Sequence, residues 1–143
     1  MRPDVGPEII RMGGLELRFL QDRHMTGGAL DMFEVRCRPG GAMPQPHYHR
    51  DWEETVYGLA GDTRFTVDGR EHAIGPGDHL FVPRGIVHGF DNRTDAMSSF
   101  LSVLTPGVLG PEYFRELAAI LAAPTPDRAA IRAVMDRYGL VPA

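Results

Sequence analysis

Residues 47–61 read HYHRDWEETVYGLAG. Two histidines stand one residue apart, Trp52 breaks a charged run, Glu53 and Glu54 come together, and an apolar tail ends at Gly61. Acidic residues are depleted from strands, so a strand headed this way is either a solvated edge or a site. Alternate side chains of a strand share a face, which sets His47 and His49 side by side and turns Tyr48 away. That is the geometry of two metal ligands. Glu54, five residues beyond His49, has the wrong parity for one flat strand; a bend or bulge over Arg50, Asp51 and Trp52 re-aims it inward, with Val56 and Gly58 on its face. Glu53 then points outward and, like Asp51, is solvated or salt-bridged. Trp52 at the bend reads as packing more readily than as a wall of a pocket mouth.

An isolated pair of this kind is more often two surface histidines than a metal site. The second half of the chain shifts that balance. Residues 77–92, GDHLFVPRGIVHGFDN, hold a glycine turn, a strand, a second turn at Pro83 and Gly85, and then His88 and Asn92. His88 opens a strand just after a tight turn, where an inward imidazole meets the first three groups from the adjacent hairpin. Asn92 and the glycines read as turn-forming. His24, His72 and His79 lie in or beside turns and read as surface residues.

At 143 residues, 43% hydrophobic and 24% charged, the chain is of a size for one core. Net charge −4 and scattered basic residues exclude a surface built on phosphate neutralisation, and no helix-turn-helix segment accompanies the strands, so no nucleic-acid partner is expected. The single cysteine, Cys37, allows no internal disulfide. Pro3, Asp4, Pro7 and Glu8 interrupt what a signal peptide would keep apolar. The longest apolar run, residues 117–123, is too short to cross a bilayer. A soluble, cytoplasmic protein with no membrane partner is expected.

Twelve prolines and 17 glycines cut the chain into short strands up to about residue 110. Leu15, Leu17 and Phe19 alternate with polar residues; Phe33, Val35 and Cys37 share a parity; residues 63–67 precede an Asp68-Gly69 hairpin turn; residues 79–83 and 98–104 are further strands. Many strands without interspersed helices indicate a sandwich or barrel, an all-β body. Past Thr105-Pro106-Gly107 the period changes. Pro111 suits a first helical turn and Tyr113, Phe114, Leu117, Ile120 and Leu121 form one stripe, stopped by Pro124. Thr125 as N-cap, Pro126 and Asp127 start a second helix with the stripe Ala130, Ile131, Val134, Met135 and Tyr138, and Gly139 suits its C-cap. The expected division is residues 1–107, a barrel with an N-terminal arm, and residues 108–143, a helical extension packed on the barrel or on a partner subunit.

These residues resemble the cupin family. Its first motif, glycine, five residues, HxH, three or four residues, glutamate, six residues and glycine, is met by Gly41, His47, His49, Glu54 and Gly61. Its second, glycine, five residues, proline, one residue, glycine, two residues, histidine, three residues and asparagine, is met by Gly77, Pro83, Gly85, His88 and Asn92. The resemblance implies a double-stranded β-helix, or jelly-roll barrel, here with two short C-terminal α-helices, holding one divalent metal on His47, His49, Glu54 and His88. Such a ligand set suits Fe, Mn, Ni, Co, Cu or Zn and not Ca. Open coordination positions would admit water, dioxygen or a bidentate substrate.

Met32 or Phe33, Met43, Phe65, Phe81, Phe90 and Phe100 offer an apolar lining, which favours an apolar or aromatic oxygenated small molecule. Glu54 doubles as metal ligand and catalytic base in this reading. The leading functional expectation is a dioxygenase of the quercetinase-like kind. The alternatives are a redox-neutral isomerase, lyase or polyketide cyclase, and a non-catalytic ligand-binding module. The family commonly dimerises through sheet edges, so a homodimer is expected.

Overall fold

The computed structural model describes residues 7–143; the first six residues of the expected N-terminal arm lie outside the described residues. The strands are β1 (Ile9–Met12), β2 (Leu15–Gln21), β3 (Asp31–Cys37), β4 (His47–His49), β5 (Glu53–Ala60), β6 (Thr63–Val67), β7 (Arg70–Ile74), β8 (His79–Val82), β9 (His88–Asp91) and β10 (Ser98–Thr105). Helices α1 (Gly110–Leu121) and α2 (Arg128–Tyr138) follow, and then a short strand, β11 (Leu140–Pro142). The strands form two antiparallel sheets. One has the order β1-β2-β3-β10-β5-β8, the other β11-β4-β9-β6-β7. The body is therefore the all-β sandwich of a jelly roll, with two helices at its C-terminal end.

Period-two alternation builds the core between the sheets. Leu15, Leu17 and Phe19 on β2, Phe33, Val35 and Cys37 on β3, and Phe100 and Leu104 on β10 are buried, while their neighbours face solvent or the half-buried rim. Two aromatic clusters tie the layers. Phe19, Phe33 and Phe114 meet at centroid distances of 4.8–5.7 Å, which docks α1 on the larger sheet. Phe65, Phe90 and Phe100 meet at 4.9–5.3 Å, which bridges the two sheets. Each such ring pair adds about 0.5–1.5 kcal/mol beyond its buried area. Gly58 is required where β5 runs against the turn at Gly75: a Cβ there would sit 1.9 Å from the Gly75 carbonyl oxygen.

The helical expectations need one correction. Asp127, not Thr125, is the N-cap of α2; its carboxylate accepts from the backbone N–H of Ala129 and Ala130, because an acid placed at the cap satisfies donors that a residue two positions earlier cannot reach. Gly139 closes α2 in the left-handed conformation, φ +87°. The chain then turns into β11, a strand the sequence reading missed because three residues carry too little periodicity to register. β11 pairs antiparallel with β4, setting Leu140 opposite His49 and Pro142 opposite His47. No helix among the described residues is long and apolar enough to cross a membrane.

Candidate metal centre and substrate cavity

The stretch 47–61 is two strands in two sheets. β4 belongs to the five-stranded sheet and β5 to the six-stranded one, so residues 50–52 form a corner between layers, not a bulge within one strand. That corner is what brings Glu54 back toward the histidines. On β5, Glu54, Val56 and Gly58 are buried together, as the parity argument required.

His47 and His49 are buried on the inner face of β4, and His88, on β9, is paired in register with His47. One ring nitrogen from each of the three lies within 4.8 Å of the others. Two rings are fixed through their far nitrogens. His47 Nδ1 meets the Gln45 carbonyl at 2.8 Å and His88 Nδ1 meets the Ile86 carbonyl at 3.0 Å. A carbonyl only accepts, so each Nδ1 carries a proton and each Nε2 is turned inward. The His47 and His49 Nε2 atoms are 3.1 Å apart, and His88 Nε2 is buried with no hydrogen-bond partner. Burial first, and the neighbouring His88 second, pushes the His47 imidazole down to about 3 and His49 still further below the ordinary imidazole range. Neutral imidazoles with converging lone pairs are the form a divalent metal requires, and an inward Nε2 with no partner is otherwise a buried cost. The residues fit such an ion.

Glu54 lies beside this trio. Its Oε1 is 3.7 Å from His88 Nε2 and 4.0 Å from His49 Nε2, while Oε2 accepts a 2.7 Å hydrogen bond from the Ser102 hydroxyl on β10. Ser102, fully buried, was not singled out in the sequence; a serine on the inner face of an apolar strand was the available signal. Glu53 faces outward and accepts from Arg84 at 2.7 Å, and Asp51 pairs with Arg50 at 3.1 Å. Trp52 is buried, as expected of packing, but it packs on a site residue: its indole stacks on the His49 ring. Asn92 is a clamp, donating to the Cys37 and Ala96 carbonyls and accepting from Thr94. His24 pairs with Glu112 on α1 and is exposed, as is His79; His72 is half-buried away from the trio.

A cavity opens from the histidines into the sandwich, with about 630 Å³ of empty space counted out through its mouth. Phe33, Met43, Phe90 and Phe100 line it, as expected. Phe81 does not: β8 turns it to solvent, 56% exposed, because it sits opposite Thr55 on the outer face. Met32 is also on the outer parity of β3, and Phe65 lies in the aromatic cluster behind the lining. The wall the sequence reading missed comes from Leu109, Tyr113, Phe114, Leu117, Met135 and Leu140, so the C-terminal helices and β11 close one side of the cavity.

Residues 33–104 match the Cupin_2 family, described as a cupin domain. Over 80 residues the chain is 39% identical to quercetin 2,3-dioxygenase of Bacillus subtilis, a match covering 55% of this chain and 23% of that protein. It thus spans under a quarter of the dioxygenase's length. Protein SchB of Streptomyces halstedii is 31% identical over 104 residues, 72% of this chain and 73% of its own. Among solved structures, the polyketide cyclase RemF from Streptomyces resistomycificus is similar at 33% identity and a TM-score of 0.59, covering 73% of this chain and 76% of that one.

Proposed function

The chain belongs to the cupin family, and from that premise we propose that it is a metal-dependent enzyme acting on a flat, multiply oxygenated aromatic or polyketone substrate by redox-neutral, cyclase-type chemistry. The observation that carries this reading is the gathering of three buried imidazoles and one carboxylate beside a largely apolar cavity. His47, His49 and His88 would hold the ion, with Glu54 as the fourth ligand. A bound divalent ion supplies Lewis acidity toward adjacent carbonyl or enol oxygens.

The chain's own residues do the rest. The apolar walls accept the aromatic body and exclude water, which strengthens every charge interaction at the metal end. Ser102 holds Oε2 of Glu54, leaving Oε1 to face the trio. Released from the ion, that oxygen would take a proton from a carbon between two carbonyls; this carbon then bonds to a distant carbonyl carbon as its C=O π bond breaks, and the proton returns to the alkoxide so formed. Cyclisation is placed ahead of dioxygenation because cavity walls are drawn from residues between Met12 and Leu140. A likeness over 73% of the chain bears more on substrate than one over 55%.

Dioxygenation is the second reading, favoured by the 39% identity to the quercetin enzyme. Oxygen uptake by the metal-loaded protein on flavonols, catechols and β-diketones separates the two. Uptake that disappears in His88→Ala with the fold intact selects the dioxygenase. Substrate consumption without oxygen selects the cyclase, isomerase or lyase group. A protein that purifies metal-free and cannot be loaded overturns both.

A further inference from the structure

We propose that Tyr113 is a specificity-determining residue of the cavity, donating its phenolic O–H to an oxygen carried on the part of the substrate that lies away from the metal-binding end. This rests on the enzymatic reading above and narrows its substrate class.

Tyr113 sits on α1, is 3% exposed, and lines the cavity. A buried tyrosine hydroxyl ordinarily finds a hydrogen-bond partner. Half-buried Tyr138, packed beside Tyr113, donates to Glu116. Tyr113 has no such acceptor: no hydrogen bond joins its hydroxyl to another described residue, and burial alone pushes its ionisation far above the ordinary tyrosine range. It is therefore a neutral donor at any physiological pH, with no partner among the described residues.

Its ring packs against Phe114 and Tyr138 and not against any of the imidazoles, which places it apart from the metal end. The other polar lining groups are committed. Gln45 donates its amide to the Ala143 carbonyl at 2.9 Å, and His47, His49 and Glu54 belong to the metal end. A ligand that satisfies this cavity thus has adjacent oxygens at one end, an apolar aromatic body, and a hydroxyl or carbonyl toward the other end.

The test uses the whole 143-residue chain, loaded with Zn, and calorimetric binding of 3-hydroxyflavone and a set of its derivatives carrying one more hydroxyl at successive positions of the outer rings. One derivative binds about tenfold tighter than the parent to the wild type, and Tyr113→Phe, which keeps the ring packing, brings that derivative-to-parent affinity ratio to about one. A preference that survives Tyr113→Phe, or a variant that weakens parent and derivatives alike, overturns the proposal. A wild type that binds none of these flavones overturns the functional reading and this one with it, whereas binding indifferent to Tyr113→Phe overturns this one alone.

Discussion

The indole of Trp52 lies against the imidazole of His49 with ring centroids 4.6 Å apart and planes 22° from parallel. His47 and His88 are oriented by carbonyls, but His49 Nδ1 is buried without a hydrogen-bond partner. The stacked indole takes over the orienting role that a second hydrogen bond serves in the other two rings.

Removing that plate should therefore loosen the metal site more than the fold. Trp52→Leu is expected to weaken metal affinity about ten- to hundredfold, and Trp52→Phe to retain most of it. Chelator competition measures both. Trp52 is the only tryptophan, so its fluorescence should also fall as Co(II) or Ni(II) is loaded. Equal affinities in wild type and Trp52→Leu would show that His49 needs no plate.

The paired acids of the opening stretch should separate cleanly. Glu54→Gln replaces a buried carboxylate beside two imidazoles and is expected to lower metal affinity at least tenfold. Glu53→Gln removes only an exposed partner of Arg84 and should leave metal binding unaltered. Metal titrations of the two variants side by side decide it.

Ser102→Ala leaves Glu54 Oε2 buried without its donor. Such a loss costs about 1–3 kcal/mol. A lower urea midpoint together with weaker metal binding is expected, and a Ser102→Thr variant that keeps the hydroxyl should recover part of both.

Acid should destabilise the metal-free protein before its carboxylates titrate. His47 is held near 3 and His49 lower still, against 6.5 for a free imidazole, so below that value the unfolded chain binds protons that the folded chain does not. Stability is therefore full above about pH 6.5 and is lost progressively as pH falls toward 3. Urea midpoints measured from pH 8 to 4 should decline through this window, and bound metal should move the decline to lower pH. A midpoint flat from pH 7 to 4 would contradict the burial of neutral histidines.

Gly139 joins α2 to the strand that pairs with the histidine strand. Its φ of +87° is open to glycine, and a Cβ there would come 3.4 Å from the Trp52 ring. Gly139→Ala should cost about 1–2 kcal/mol, read as a shift in the urea midpoint.

Sequence alone determined the elements whose cause is local. The alternation of Phe33, Val35 and Cys37 specifies a buried strand face, the spacing of Tyr113 and Leu117 specifies a helix stripe, and the i, i+2 placement of His47 and His49 sets both imidazoles on one face wherever that strand goes. The tertiary structure decided what depends on residues distant in the chain. Glu54 faces the histidines because residues 50–52 carry the chain from one sheet to the other; the parity of the acid asks for a bend there, and only the sheet pairing makes that bend a corner between layers. Ser102 reaches Glu54 across 48 positions, and Leu140 sits opposite His49 because three residues after a glycine cap find an open strand edge. Parity and capping act over a few residues and leave a mark in the sequence. Sheet pairing and cavity walls are chosen by burial over the whole chain, and no single stretch records them.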